Sequence, residues 1–178
     1  MDITVVLDFD VTKDALVYGL FEEDKEINFN KELFEEYASI FEKKIFSPTF
    51  GEVYSTRVIG LPFQKIFLIG LGKRSEMTLE RLRRVLGKSV KLVKGMMLES
   101  FTTNIIYAVS GLGLHSEELL GQATAEGLVL GNYSFTHYLS LEKQLKKKVI
   151  SSVAVQLKES SDAFNKGLKV SKFGFPII

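Results

Sequence analysis

The 178-residue sequence contains no cysteine, which excludes disulfides, thiolate zinc sites and cysteine nucleophiles. That absence also fits a cytosolic setting. Histidine is nearly as scarce. His115 and His137 are the only two, and no His-Glu-x-x-His pair or nearby acidic orienter gives them a zinc-site spacing. His115 falls in a turn and His137 near a helix end, positions that suit surface roles. Serines are plentiful but none stands in a Gly-x-Ser-x-Gly elbow. No apolar run approaches the roughly 18 residues that span a bilayer. Met1-Asp2-Ile3 leads straight into a strand-like segment without the basic and apolar regions of a secretory leader, so a cytoplasmic location is expected. Twenty-three basic and 22 acidic residues leave a formal charge of +1, far from the basic balance of a dedicated nucleic-acid or membrane-surface protein.

What is present is ordinary for a folded soluble domain: 46% apolar and 25% charged residues. The length suits one well-buried domain. Ile3–Leu7 and the apolar Ala15–Phe21 read as strands. A charged loop from Glu22 to Asn30 follows, with Asn30 placed to cap a helix. Leu33, Phe34, Tyr37, Phe41 and Ile45 form that helix's apolar stripe, and Glu35, Glu36, Glu42, Lys43 and Lys44 take its wet side. Pro48–Gly51 breaks the helix. Val53–Ile59 and Lys65–Ile69 read as adjacent strands, a hairpin at a sheet edge. Thr78 caps the strongest helix, striped by Leu79, Leu82, Leu86, Val90, Val93 and Met97. Asn104–Val109 reads as a further strand. Ser116 caps a helix with Glu117 and Glu118 in its first turn. Ala123, Gly127 and Gly131 recur there every four residues. Helical glycine costs about 1 kcal/mol relative to alanine, which implies a close-packed neighbour. Lys143–Lys148 is a basic run before the strand Val149–Leu157, and Asp162 is expected to cap a last helix, Ala163–Val170. The alternation of strands and helices predicts an α/β fold with a mixed, largely parallel central sheet flanked by helices.

Two glycine loops invite a phosphate-binding reading and fail it. Gly70-Leu71-Gly72-Lys73-Arg74-Ser75 and Gly111-Leu112-Gly113-Leu114-His115-Ser116 both carry serine where a dinucleotide fingerprint needs its third glycine. Phe67 and Arg74 likewise break the P-loop pattern. Both loops read as strand-to-helix turns, with Gly72 a candidate for positive φ. Lys143–Lys148 with Lys158 could meet phosphate, but interleaved aromatics are missing.

The order of segments carries more. Phe67-Leu68-Ile69-Gly70-Leu71-Gly72-Lys73, then Thr78-Leu79-Glu80-Arg81-Leu82-Arg83-Arg84 with Gly87-Lys88, resembles the N-terminal domain of the cytosolic leucyl aminopeptidases, peptidase family M17. Ala125-Glu126-Gly127-Leu128-Val129-Leu130-Gly131-Asn132-Tyr133-Ser134-Phe135-Thr136-His137-Tyr138 is similar to that family's Ala-Glu-Gly … Leu-Gly-x-Tyr-x-Phe-x-x-Tyr segment. The resemblance runs from about Ile3 to Lys169. It implies a macrodomain-like domain over residues 1–170, with residues 171–178 a tail or truncated linker. Ala163–Leu168 resembles the start of the helix leading to the family's catalytic domain. That domain is implied to hold two divalent metals, zinc or manganese, on Asp, Glu and Lys side chains, and to release N-terminal residues from peptides. Its signature Asn-Thr-Asp-Ala-Glu-Gly-Arg is absent from these residues. No catalytic, cofactor-binding or metal residue is therefore assigned here. The expected role is a non-catalytic, oligomer-shaping and regulatory domain. Its implied partners are the catalytic domain and the other subunits of a homo-oligomer, usually a hexamer. Two further readings are a stand-alone module binding ADP-ribose or another nucleotide, and a DNA-contacting domain relying on Lys146–Lys148.

Overall fold

The computed structural model describes residues 1–24, 27, 31–57, 59–133 and 149–173. In chain order the elements are β1 (Asp2–Val6), β2 (Ala15–Phe21), α1 (Lys31–Glu42), β3 (Val53–Thr56), β4 (Lys65–Gly72), α2 (Leu79–Gly95), β5 (Ser100–Thr103), α3 (Ile105–Ser110), α4 (Glu117–Asn132), β6 (Ser152–Gln156) and α5 (Asp162–Phe173). A single 3-10 turn, Arg74–Glu76, joins β4 to α2. The six strands form one sheet in the order β1-β6-β5-β2-β4-β3. Every pairing is parallel except β3 with β4. The mixed, largely parallel sheet and its antiparallel edge hairpin are as the sequence predicts.

Strand periodicity sorts the core into two halves. In β2, Ala15, Val17 and Phe21 join one apolar cluster, and Leu16, Tyr18 and Leu20 join the other. In β4, Phe67, Ile69 and Leu71 face the first cluster, with Ile66 and Leu68 facing the second. Successive side chains on a strand point to opposite faces, so a strand covered on both sides becomes continuously apolar. Helices α2 to α5 close the first face through Leu82, Leu86, Val90, Ile105, Leu128 and Phe164. Tyr37 and Ile40 of α1, with Phe46 and Phe63, close the second.

Four sequence expectations need correction. Asn104–Val109 is not a strand: β5 is Ser100–Thr103, and residues 105–110 are helical. Its apolar burst is the kind that periodicity cannot assign between strand and helix. In α1, Phe41 and Ile45 are exposed, whereas Ile40 and Phe46 are buried. The helix ends in a left-handed Lys44 (φ 55°), with Lys44 N–H bonded to Phe41 O at 3.0 Å and Ile45 N–H to Ile40 O at 2.9 Å. That C-terminal motif turns Ile45 off the helical stripe. The same happens at α2: Met97 (φ 61°) is exposed, and Leu98 N–H reaches back to Val93 O. The last helix is capped by Ser161, whose Oγ accepts from Phe164 N–H at 3.1 Å, and Asp162 is its first residue.

Other expectations stand. Thr78 Oγ1 accepts from Arg81 N–H at 3.2 Å, and Ser116 Oγ from Leu119 N–H at 3.4 Å. Helices α2 and α4 meet at glycine. A Cβ on Gly131 would lie 2.7 Å from Gly87 Cα, and one on Gly127 would lie 2.9 Å from Arg83 O. Arg83 is not simply a surface cation. Its Nε donates to Glu126 at 2.6 Å across this seam, and Gln122 donates to the same carboxylate at 2.8 Å. Burial pushes the Glu126 pKa upward, but the bonds and charge from Arg83, with Gln122, outweigh it and hold the carboxyl below its usual value. The proposed cap Asn30 and the run Lys143–Lys148 lie outside the described residues.

Candidate functional site

All parallel strands of the sheet end on the same side. Beyond their carboxyl ends lies a cavity of about 430 Å³, within the size range of small-ligand pockets. The end of β1 contributes Leu7, Asp8 and Phe9, and the end of β6 contributes Gln156 and Lys158. Asn104 follows β5, with Tyr107 and Ala108 behind it on α3. Tyr18, Gly19, Leu20 and Asp24 come from β2 and its exit, and Arg74 from the turn after β4. From β2 the chain proceeds to β3 and β4, and from β5 it proceeds to β6 on the other side. The β2/β5 crevice is thus the switch point at which open parallel sheets bind ligands.

Asn104 forms the floor of that crevice. It is 5% exposed, its Oδ1 accepts from Gly19 N–H at 2.7 Å, and its Nδ2 donates to Gly19 O at 3.2 Å. Strand β5 pairs with β2 only over Phe101–Thr103. The Asn104 side chain therefore supplies to Gly19 the donor and acceptor that a longer β5 would have offered. The chain is then free to turn into α3, with Ile105 N–H bonded to Thr103 Oγ1 at 3.2 Å.

An ion pair stands at one side of the cavity and a lysine over a tyrosine ring at the other. Under the β4 side, the Arg74 guanidinium donates to the Asp24 carboxylate and stacks 4.6 Å from the Phe21 ring centre. The second Asp24 oxygen accepts from Phe21 N–H at 2.9 Å, so this pair is internally satisfied. Behind it, Tyr37 donates to Asp24 O at 3.1 Å. Burial first, then the Asp24 charge, raises the Tyr37 phenol above its usual pKa. On the β1/β6 side, Lys158 Nζ lies 5.4 Å from the Tyr107 ring centre. Phe9 and Tyr18 pack at 5.9 Å between ring centres. Next to them the Thr12 hydroxyl, at 2.6 Å, leads the contacts that hold the Asp10 carboxyl below its usual value and fix the turn after β1.

The glycines of the two loops that the sequence singled out do not line the cavity, although the first loop contributes Arg74 to it. Gly70, Leu71 and Gly72 close β4 itself, where a bulge pairs Phe21 with Gly72. A Cβ on Gly70 would lie 1.9 Å from Thr49 O, because the Pro48–Glu52 backbone runs against this strand end. Gly72 has φ +74°, as expected of a turn glycine. The exposed His115 lines a separate cavity of about 130 Å³ with Glu117 and Ser161, and His137 lies outside the described residues. Among the described residues no group of three or more histidine, cysteine, aspartate or glutamate side chains is placed to hold a metal ion. Sequence reasoning passed over Asn104 and Tyr107, whose roles depend on where β5 stops, and Asp24, whose partner Arg74 lies 50 positions away. The available signal was a lone amide at the boundary between a threonine pair and an apolar run.

Comparison with known proteins gives this architecture its class. Residues 17–142 match the cytosol aminopeptidase family, N-terminal domain. The chain belongs to that family, as its N-terminal domain. A probable cytosol aminopeptidase from Clostridium perfringens is 37% identical over 132 residues, covering 74% of this chain and 26% of that protein. One from Alkaliphilus metalliredigens is 29% identical over 154 residues, covering 83% of this chain and 30% of that protein. The chain thus spans between a quarter and a third of the length of these relatives. Among solved structures, a mutant tomato leucine aminopeptidase superposes with a TM-score of 0.70 at 19% identity, over 97% of this chain and 35% of that one. A mutant Oceanobacillus iheyensis macrodomain superposes with a TM-score of 0.64 at 14% identity, over 94% and 90%. The fold is macrodomain-like.

Proposed function

We propose that this chain is the non-catalytic, oligomer-shaping and regulatory domain of a cytoplasmic aminopeptidase that removes N-terminal residues from peptides. Residues 1–170 form the domain, and residues 171–178 its tail or the beginning of a linker. The observation that carries this reading is the match of residues 17–142 to the family's N-terminal domain. On this reading the two divalent metals, zinc or manganese, belong to a separate catalytic domain. On the same reading, that domain and the other subunits of a hexamer are the chain's partners. The 178-residue chain, incubated with leucine p-nitroanilide and either metal, should release no nitroaniline. Metal-dependent release would overturn the assignment.

A second reading takes its support from the cavity at the β2/β5 switch point, a position at which open parallel sheets hold nucleotides. On this reading the chain is a binding module for ADP-ribose or another nucleotide. Saturable micromolar heat on calorimetric titration with ADP-ribose would promote it, and silence would retire it.

A further inference from the structure

The charges around the cavity narrow the chemistry of its ligand. A nucleoside diphosphate brings two or more negative charges and needs an excess of cations or free amides. Here the cation Arg74 is already neutralised by Asp24, and Asp8 adds a carboxylate to the wall. Like charges brought together in a partly desolvated site cost free energy, so a polyanion is poorly served.

Asp8 and Lys158 offer something different. The parallel register of β1 with β6 ends at Val6 opposite Gln156. It is extended by Leu157 N–H to Val6 O at 2.9 Å and by Gln156 Nε2 to Leu7 O at 3.1 Å. Two residues on, Asp8 and Lys158 follow the ends of these neighbouring strands, and both line the cavity. Neither carries a hydrogen bond or an ion pair among the described residues, and Lys158 leans over the Tyr107 ring instead. One carboxylate and one ammonium are therefore carried just beyond the ends of adjacent strands, whose backbones run about 4.8 Å apart, and both line a cavity that Phe9, Tyr18 and Tyr107 also line.

From this we infer that the cavity binds a free α-amino acid with an apolar or aromatic side chain. Its ammonium pairs with Asp8, its carboxylate pairs with Lys158, and its side chain lies against Phe9 and Tyr18. The two charges of an α-amino acid are separated by about 2.5 Å along the N–Cα–C path. They can thus face two partners on neighbouring strands, each through one charge-assisted hydrogen bond. A zwitterion adds no net charge to a wall that is already balanced. An amino acid is also what an aminopeptidase releases, so such a site on its N-terminal domain would sense product. The sensing role rests on the aminopeptidase reading; the binding does not.

Both charged residues are exposed, so their substitution leaves the fold intact, and the expected affinity is modest, with Kd about 1 mM. The test is a titration of the 178-residue chain with L-phenylalanine and L-leucine, followed by calorimetry or amide chemical shifts. Wild type should saturate with both, and Asp8→Asn and Lys158→Gln should each weaken binding at least fivefold with unchanged melting temperature. Phenethylamine and 3-phenylpropionate, each lacking one charge, should bind more weakly than L-phenylalanine. Absence of saturable binding of either amino acid would overturn the inference. So would equal binding by both variants, or ADP-ribose binding more tightly at the same residues. None of these outcomes bears on whether the chain hydrolyses leucine p-nitroanilide, so the two readings fail separately.

Discussion

The Asn104 carboxamide closes on both backbone groups of Gly19, accepting its N–H at 2.7 Å and donating to its carbonyl at 3.2 Å. One side chain thus continues the sheet where the main chain has left it. Replacing Asn104 with leucine keeps the branching at Cγ and removes both bonds. The Gly19 N–H and carbonyl are then buried without partners, at about 1–3 kcal/mol for each unsatisfied group. Asn104→Leu should lower unfolding free energy by about 2–6 kcal/mol in urea. A loss below 0.5 kcal/mol, on the order of an ordinary surface substitution, would show that water replaces the amide.

Gly131 sets two magnitudes against each other. Alanine in a helix interior is worth about 1 kcal/mol over glycine, so Gly131→Ala would stabilise an isolated α4. In the folded domain the added methyl meets Gly87 Cα at 2.7 Å and Gly87 O at 2.8 Å, both backbone atoms. Overpacking of this kind costs about 1–3 kcal/mol, and backbone cannot rotate away as a side chain can. The contact wins, and Gly131→Ala should lower the melting temperature. Gly95, whose added Cβ would meet nothing within 4 Å, is the control: Gly95→Ala should not.

Met97 holds a left-handed conformation at φ 61° and is 56% exposed. For an L-residue that conformation costs about 1 kcal/mol or more, and glycine at this helix-ending position avoids it. Part of the gain is returned as the extra entropy of glycine in the unfolded chain. Met97→Gly should raise the stability by about 0.5 kcal/mol, a shift of about 1–2 °C for a domain of this length. Met96, at φ −92°, lacks that relief, and Met96→Gly should destabilise.

How far the sequence spoke depended on whether a feature was local. Strand β2, covered on both faces, announced itself as an unbroken apolar run, and the caps Thr78 and Ser116 stood at the positions their chemistry favours. Gly127 and Gly131 carried a tertiary message in a helical spacing, because only a close neighbour justifies two glycines there. The stripe of α1 was followed two residues too far, to Phe41 and Ile45, and that of α2 one, to Met97. Periodicity continues past a helix end, whereas Lys44 and Met97 turn the chain out without a glycine to mark it. The cavity was largely hidden. Asp8, Asn104 and Lys158 come from segments up to 150 residues apart, and the sheet order β1-β6-β5-β2 that joins them has no signature in spacing. Asn104 was legible as a residue but was read as the start of a strand, since its partner Gly19 lies 85 positions away.

The Arg83–Glu126 pair at the α2–α4 seam makes stability depend on pH. Its Nε–Oε2 distance is 2.6 Å, Glu126 is only 19% exposed, and Gln122 holds the other carboxylate oxygen at 2.8 Å. Burial alone would raise the pKa of Glu126, but the bonds and charge from Arg83, with Gln122, hold it lower in the folded chain than in the unfolded one. For a carboxyl with a depressed folded pKa, the unfolded state binds the proton first. The stabilisation is therefore complete above the unfolded glutamate value and is lost as pH falls through the folded one. At neutral pH, Glu126→Gln should cost about 1–2 kcal/mol, the scale of a partly buried charge-assisted hydrogen bond. Below about pH 4, near the ordinary glutamate pKa, wild type and Glu126→Gln should converge in urea-unfolding free energy. Curves that stay parallel from neutral to acid pH would mean that packing at the seam, and not the charge on Glu126, carries the difference.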